Sequence, residues 1–301
     1  MSHEHSHPPI VNYNKAFAIG ISLNILFVVI EASYGLLAGS LALIADAGHN
    51  LSDVFSLMLA WGANRLAIRS SGENRTYGFR GATILASLAS SLLLLVALGG
   101  IAWEALGRLL DPQPVQGMII IAVAAIGVVI NAATAMLFMS GQRHDLNIRA
   151  AYLHMVADAG ISLGVVVAGI AILLTGWHWL DPLMSIAIVL VILIGTWRLL
   201  KESINLSMSA VPESVQISAI RDYLNAIPQV VELHDLHVWA LSTTEVALTV
   251  HLVTREQAID NQFLLETQQQ LHDLFDIEHV TIQLETESSE NSRVLNRPQC
   301  I

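Results

Sequence analysis

Six apolar segments, each long enough to cross a membrane, follow one another through the first 205 residues of this chain. A run of about 20 apolar residues forms a helix that spans the hydrocarbon core of a bilayer. Of all 301 residues, 54% are hydrophobic and only 13% are charged, unlike an ordinary soluble domain. We therefore predict six transmembrane helices, at about residues 15–37, 41–66, 81–108, 117–140, 147–175 and 180–203.

The loops between these segments differ in positive charge, which predicts their orientation. Arginines cluster around the second and fourth loops, at Arg65, Arg69, Arg75, Arg80, Arg143 and Arg149. The opposite loops have at most Arg108. Because positively charged loops stay in the cytoplasm, we predict that both termini are cytoplasmic.

After residue 205 the continuous apolar sequence gives way to alternating patterns. These predict a small α+β domain over residues 206–286, after a membrane domain at 15–205. Its apolar face is small for an independent domain, which makes dimerisation reasonable. The expected elements, in order, are a helix over 214–226, strands over 231–241 and 245–253, a helix over 260–275 and a strand over 279–285.

Negative charge is concentrated in the C-terminal part of the chain. Residues 206–301 hold 14 Asp and Glu against 4 Lys and Arg, whereas residues 1–205 hold 11 against 10. This acidity argues against nucleic acid as a partner and suits the attraction of cations. The single cysteine, Cys300, excludes a disulfide framework and a thiolate metal site.

The two ends of the chain differ from the domains between them. Residues 1–14 form a histidine-containing tail, expected in the cytoplasm, in which His3, His5 and His7 either collect a metal loosely or have no role. Residues 287–301 are polar and predicted to be disordered.

Two copies of a His-x-x-x-Asp pattern interrupt the apolar segments. One is His49 and Asp53 in the second segment, and the other is His154 and Asp158 in the fifth. Residues four apart share one face of a helix, and ionisable residues within a bilayer usually mark a functional site. The two segments run in opposite directions, and both pairs lie roughly 10 to 20 Å from the surface where their helix starts, so they can meet near the midplane.

Two imidazoles and two carboxylates are four ligands of the kind that tetrahedral Zn²⁺ accepts. Mg²⁺ and Ca²⁺ prefer six or more oxygens, and Cu(I) prefers sulfur. The alternative is that the two pairs only hold helices together by hydrogen bonds, which the duplication on antiparallel segments disfavours. Glu31 and Asp46 could line the same cavity.

Three groups of residues resemble one protein family. They are the segment GSLALIADAGHNLSD at 39–53, the pair His154 and Asp158, and the segment HDLHVW at 234–239. Over residues 12–286 the chain resembles the cation diffusion facilitators, in particular their bacterial zinc-type branch. The resemblance implies a homodimeric antiporter in the bacterial inner membrane that exports Zn²⁺ from the cytoplasm in exchange for protons. It also implies a ferredoxin-like C-terminal domain.

The same resemblance implies a second metal site in the C-terminal domain. His234, His251 and Glu285 match positions that bind zinc in the family. His237 and His279 flank the same strands, and each is either an additional ligand or a surface histidine. Some members hold two metals with a histidine where this chain has Gln283, so the number of metals stays open.

Three other functions fit parts of the sequence. One is a transporter with a broader or different metal range, such as Cd²⁺, Co²⁺, Fe²⁺ or Mn²⁺. Another is a membrane metal sensor, for which we expect an output domain after residue 286. The third is a membrane metalloenzyme, which needs an open coordination position. Because the four ligands close the transmembrane site and no adjacent nucleophile is left over, we predict that the protein is not an enzyme.

Overall fold

The computed structural model describes residues 14–67, 69, 71–139, 146–255 and 261–286. The predictions for residues 1–13 and for the tail at 287–301 lie outside these ranges. The described residues fall into two compact units: the first contains those up to residue 57 and those between 92 and 196, and the second contains those between 58 and 91 and those from 197 onward.

Six long helices follow the six predicted apolar segments, and each end lies within four residues of its prediction. They are α1 (Asn14–Ala38), α2 (Leu41–Ala67), α3 (Ala82–Leu110), α4 (Gly117–Phe138), α5 (Leu146–Thr175) and α6 (Leu180–Ser207). Among the described residues, α3, α4, α6 and most of α5 are long and apolar enough to cross a membrane, and Ser22–Ala38 is a shorter apolar helix. With 27 residues α2 is also long enough, but Asp46, Asp53 and Arg65 make it more polar. The predicted fold class, a helical membrane domain followed by a small α+β domain, is confirmed.

Helices α4 and α5 pack side by side in the first unit, and small residues allow their close approach. A Cβ atom on Gly117 would lie 3.1 Å from the carbonyl oxygen of Gly169. One on Gly127 would lie 2.6 Å from Phe27 Cζ on α1 and 3.1 Å from Ser162 Oγ on α5. Gly127 therefore keeps α4 close to both helices, and α5 is the helix that bears His154 and Asp158.

The start of α2 is fixed by a side chain from α6. Asp181 accepts hydrogen bonds from the Ser40 hydroxyl, from the Leu41 amide at 2.7 Å and from the Ala42 amide at 3.4 Å. The first amides of a helix have no partner within the helix, so a buried carboxylate at this point satisfies them and complements the helix dipole. This contact ties the beginning of α2, the helix of His49 and Asp53, to α6.

The C-terminal domain lies in the second unit. It consists of α7 (Ile217–Asn225), β1 (Val230–Ala240), β2 (Val246–Thr254), α8 (Asn261–Phe275) and β3 (His279–Thr286). The three strands form a sheet in the order β1, β2, β3, in which β1 and β2 are antiparallel and β2 and β3 are parallel. Ile220 and Leu224 on α7 and Leu271 on α8 pack with the apolar strand residues in one core. The element order is that of a ferredoxin-like unit from its first helix onward.

The packing at Gly127 gives a test of the membrane fold. We expect Gly127→Ala to destabilise the protein by about 1 to 3 kcal/mol, because the added methyl group overlaps the buried Phe27 ring. The matched control is Gly195→Ala on α6, where a Cβ atom meets nothing within 4 Å. Thermal unfolding in detergent measures both, and equal melting temperatures for the two variants would contradict this packing.

Candidate metal-binding sites

The two His-x-x-x-Asp pairs meet within the first unit. His154 Nε2 lies 3.1 Å from Asp53 Oδ2 and 3.6 Å from Asp158 Oδ2. His49 Nε2 lies 3.4 Å from Asp158 Oδ1 and 3.8 Å from Asp53 Oδ2. Each histidine thus faces both carboxylates, one on its own helix and one on the other. The structure brings together all four residues that the sequence pointed to.

Three of these residues, His49, Asp53 and Asp158, offer ligand atoms that all lie within 4.8 Å of one another, and His154 contacts both carboxylates from the other side of the pair. With ligand bonds of about 2.0 to 2.2 Å, neighbouring ligand atoms of a tetrahedron lie roughly 3.3 to 3.6 Å apart. The four nitrogen-to-oxygen distances, from 3.1 to 3.8 Å, lie around that range. The two imidazole rings meet edge to face, with centroids 5.9 Å apart. Two carboxylates and two neutral imidazoles would balance the charge of one divalent cation.

The four candidate ligands are unequally accessible. The side chains of His154 and Asp53 are 43% and 34% exposed, whereas those of His49 and Asp158 are 14% and 2% exposed. On α2 the exposed ligand follows the buried one, and on α5 it precedes the buried one. Since the two helices run in opposite directions, Asp53 and His154 form one open edge of the site.

Glu31 and Asp46 lie beside this site as fully buried residues. Asp46 Oδ2 accepts a hydrogen bond from the Ser162 hydroxyl on α5 at 3.0 Å. Glu31 Oε2 accepts a hydrogen bond from the side-chain amide of Asn50 at 3.5 Å. The sequence could suggest that the two residues border a cavity, but it could not show which residues donate hydrogen bonds to them.

A second cluster of possible ligands lies on the sheet of the C-terminal domain. Ligand atoms of His234, His251 and Glu285 lie within 4.8 Å of one another. Glu285 Oε2 is 3.3 Å from His234 Nε2, and Glu285 Oε1 is 3.0 Å from His251 Nδ1. His234 and His251 are direct partners in the antiparallel pair, and their rings meet at 5.1 Å. This donor set, two nitrogens and a carboxylate, suits a transition metal such as zinc.

Asp235 is a member of this neighbourhood that the sequence did not single out. The register of β1 shifts between His234 and His237, and Asp235 has a positive φ of 54°. Such a bulge turns the next side chain to another direction. Asp235 Oδ2 lies 3.7 Å from His251 Nε2, and its Oδ1 lies 3.0 Å from His237 Nε2. The sequence pattern of a strand predicts only that side chains alternate between the two faces of the sheet. It does not show a bulge, so the sequence could not predict the contact between Asp235 and His251.

Within the described residues, the other two candidate histidines contact side chains other than the three candidate ligands, although His237 reaches their neighbour Asp235. His237 is half exposed and contacts Asp235. The ring of His279 packs edge to face against Tyr77, with centroids 5.3 Å apart. In the parallel pair, Gln283 lies opposite His251 and donates a hydrogen bond to Glu285 Oε1 at 3.1 Å. Gln283 thus contacts one of the three candidate ligands.

Fold and sites together define a class: a multi-pass membrane protein with one possible metal site inside the membrane domain and another in its α+β domain. Two family models match the corresponding parts of the chain, the "cation efflux transmembrane domain" over residues 17–206 and the "cation efflux protein, cytoplasmic domain" over residues 212–287. The chain belongs to the cation efflux family, also called the cation diffusion facilitators, as its motifs predicted.

Curated relatives match over nearly their whole length. The metal cation efflux system protein CzcD of Cupriavidus metallidurans is 37% identical over 94% of this chain and 89% of its own. The zinc transporter ZitB of Escherichia coli is 35% identical over 94% of this chain and 91% of its own. A cadmium, cobalt and zinc/H(+)-K(+) antiporter of Bacillus subtilis is 34% identical over 98% and 96%.

A solved structure also matches part of the chain. It is the metal-bound C-terminal domain of the CzcD transporter from Cupriavidus metallidurans, with 42% identity over 24% of this chain and 99% of that one. Its TM-score of 0.22 is too low to support a structural argument.

The two clusters predict separate losses of metal. We expect Asp158→Ala and His251→Ala each to reduce the zinc bound by the full-length protein, and the double variant to lose both contributions, because the ligands belong to different clusters. Equilibrium dialysis in detergent followed by metal analysis measures this. His279→Ala, outside both clusters, is the control, and a loss of zinc in that variant equal to the loss in His251→Ala would contradict the assignment.

Proposed function

We propose that this protein exports Zn²⁺ from the cytoplasm in exchange for protons. Divalent metal efflux is the activity of its family, which is a transporter family and not a family of enzymes. The observation on which the proposal rests is the meeting of His49, Asp53, His154 and Asp158 within the membrane domain. Charged groups are costly in a bilayer and persist there mainly on transport pathways.

Zinc is the metal that these ligands favour. Two imidazole nitrogens and two carboxylate oxygens, with nitrogen-to-oxygen distances of 3.1 to 3.8 Å, suit a borderline cation better than Mg²⁺ or Ca²⁺. Several relatives are named zinc transporters. Others are named for cadmium, cobalt and zinc together, so a broader metal range is the second candidate.

Protons compete with the metal at this site because a histidine must be neutral to bind it. Imidazole titrates near neutral pH, so modest differences in proton concentration across the membrane change its ability to hold a cation. Protons that bind His49 and His154 on the outer side release the metal. The same protons return with the empty carrier and leave on the cytoplasmic side when the next cation binds.

The open edge of the site agrees with loading from the cytoplasm. In the orientation that the arginine distribution favours, α2 runs towards the cytoplasm and α5 away from it. Asp53 and His154, the exposed ligands, then lie on the cytoplasmic side, and His49 and Asp158 lie deeper. The described conformation is thus an inward-open state in this proposal, and transport requires its exchange with an outward-open state.

The assembly that we propose is a homodimer in the bacterial inner membrane, with both termini in the cytoplasm. Residues 15–205 would form the membrane domain and residues 206–286 the dimerisation and metal-binding domain. The family model for the cytoplasmic domain is named ZT_dimer.

Removal of one ligand tests transport. In inverted vesicles with an imposed proton gradient, we expect Asp158→Ala to reduce zinc uptake by roughly 10-fold or more, since even the loss of a residue that only supports a ligand costs about that much. The matched control is Glu104→Gln, an exposed carboxylate on α3. Full proton-driven uptake by Asp158→Ala would refute the assignment of the transport site.

Exchange of one ligand type tests metal selectivity. His49→Asp replaces a nitrogen ligand with an oxygen ligand and adds a negative charge, which favours harder cations. We expect the ratio of zinc to manganese transport in proteoliposomes to fall. An unchanged ratio would mean that selectivity lies elsewhere in the protein.

A further inference from the structure

A polar cavity of about 440 Å³ lies within the second unit, where α2 ends and α3 begins. Its walls are formed by the end of α2, loop residues between 69 and 80, the start of α3, the turn after β1 and the start of β3. Cavities of roughly 300 to 1,000 Å³ are typical of small-molecule sites. The four candidate ligands in the membrane domain and the three on the sheet do not line this cavity, so it is a separate feature of the molecule.

The cavity lies near the level of the lipid headgroups. Ala67, the last residue of α2, belongs to its wall. Trp61 lies about 9 Å earlier along the same helix. The guanidinium of Arg65 covers the exposed indole ring of Trp61 at 5.3 Å from the ring centroid. Exposed tryptophans and long basic side chains at the end of a membrane helix mark the boundary between hydrocarbon and headgroups. The lining residues just beyond Ala67 are therefore within reach of lipid phosphates.

Two arginines give the cavity an excess of positive charge. Arg80 Nε pairs with Glu245 Oε2 at 3.2 Å. A guanidinium has five N–H donors, so the two amino groups of Arg80 remain for another acceptor. Arg69 forms no ion pair with the residues that the structure describes. Among these residues Glu245 is the only carboxylate in the lining, so two positive charges face one negative charge.

The hydroxyl groups of the cavity wall fall into two sets. Those of Thr83 and Ser242 accept hydrogen bonds from backbone amides of the turn after β1, at 2.9 to 3.1 Å, and so fix the wall. Those of Ser71, Thr76 and Tyr77 make no hydrogen bond with the described residues and can donate to a ligand. Guanidinium and hydroxyl donors around one cavity are the groups that bind phosphate oxygens.

We propose that this cavity binds the phosphate group of an anionic ligand, with Arg69 and Arg80 as charged donors and the hydroxyls of Ser71 and Thr76 as neutral donors. An anionic phospholipid and free phosphate present the same oxyanion, and basic pockets beside membrane helices bind lipid headgroups in this way. Glu245 repels the phosphate and limits its affinity. The site is separate from both candidate metal sites and does not depend on the proposed transport activity.

Binding to the full-length protein in a neutral detergent tests this. Native mass spectrometry measures the binding of phosphatidylglycerol, with phosphatidylcholine as the lipid without net charge, and titration calorimetry measures the binding of inorganic phosphate. We expect Arg69→Gln and Arg80→Gln each to weaken binding by about 10-fold or more, because each removes a hydrogen bond between charged groups. The matched control is Arg198→Gln, which removes an exposed arginine of α6 outside the cavity and should bind like the wild-type protein.

A variant of Glu245 gives a change of the opposite sign. Glu245→Gln removes the negative charge from the lining and leaves Arg80 without its carboxylate partner. We expect binding to become about 2- to 5-fold tighter, as the loss of one exposed ion pair and its repulsion allows. A protein that had only lost its fold could not bind more tightly, so this variant separates an effect on the site from general destabilisation.

The lipid and phosphate measurements distinguish the two sources of the ligand. Preference for phosphatidylglycerol over phosphatidylcholine, with the expected order of variants, identifies a lipid site. The same order for inorganic phosphate alone identifies a site for free phosphate. Equal binding by the wild-type protein and Arg69→Gln, or an equal loss in Arg198→Gln, would overturn the proposal, because the cavity would then not be where the anion binds. Absence of binding by the wild-type protein in both measurements would overturn it as well.

Discussion

Ionisable side chains inside a bilayer are tolerated only when they face one another, and this constraint organises the membrane domain. His49 and Asp53 on α2 meet His154 and Asp158 on α5, and each histidine contacts a carboxylate from each helix. The rest of the first unit holds these helices in place. Asp181 fixes the start of α2, and the close packing of α4 with α1 and α5 at Gly127 fixes the helix that bears the second pair.

The C-terminal domain assembles similar ligands by different means. In the membrane domain the helical repeat places residues four apart on one face, so each half of the site is local in sequence. On the sheet, His234 and His251 come together through strand pairing, and Glu285 arrives from a parallel strand more than thirty residues later. The geometry of this second cluster therefore depends on the register of three strands, and a bulge at Asp235 changes which side chains join it.

Much of the fold could be predicted because its elements are long and strongly patterned. Apolar segments of spanning length gave the six helices within four residues at each end, and alternation with turn residues gave the order of α7, β1, β2, α8 and β3. The four candidate ligands in the membrane domain could be predicted because polar residues in an apolar segment stand out. The candidate ligands on the sheet could be selected only through the family resemblance, since histidines are common on the surface of a soluble domain and do not stand out there.

What the sequence determined by itself was the helical membrane domain, the α+β domain after it and the identity of the four polar residues that had to meet. Because a charged group in hydrocarbon is so costly, an ionisable residue within an apolar segment can be recognised as functional from the local sequence alone. The tertiary structure alone decided which contacts cross between distant segments: Asp181 at the start of α2, Asp235 beside His251, and Asn50 beside Glu31. These contacts join residues from different helices or strands, and no periodicity within one segment records how segments pack against one another.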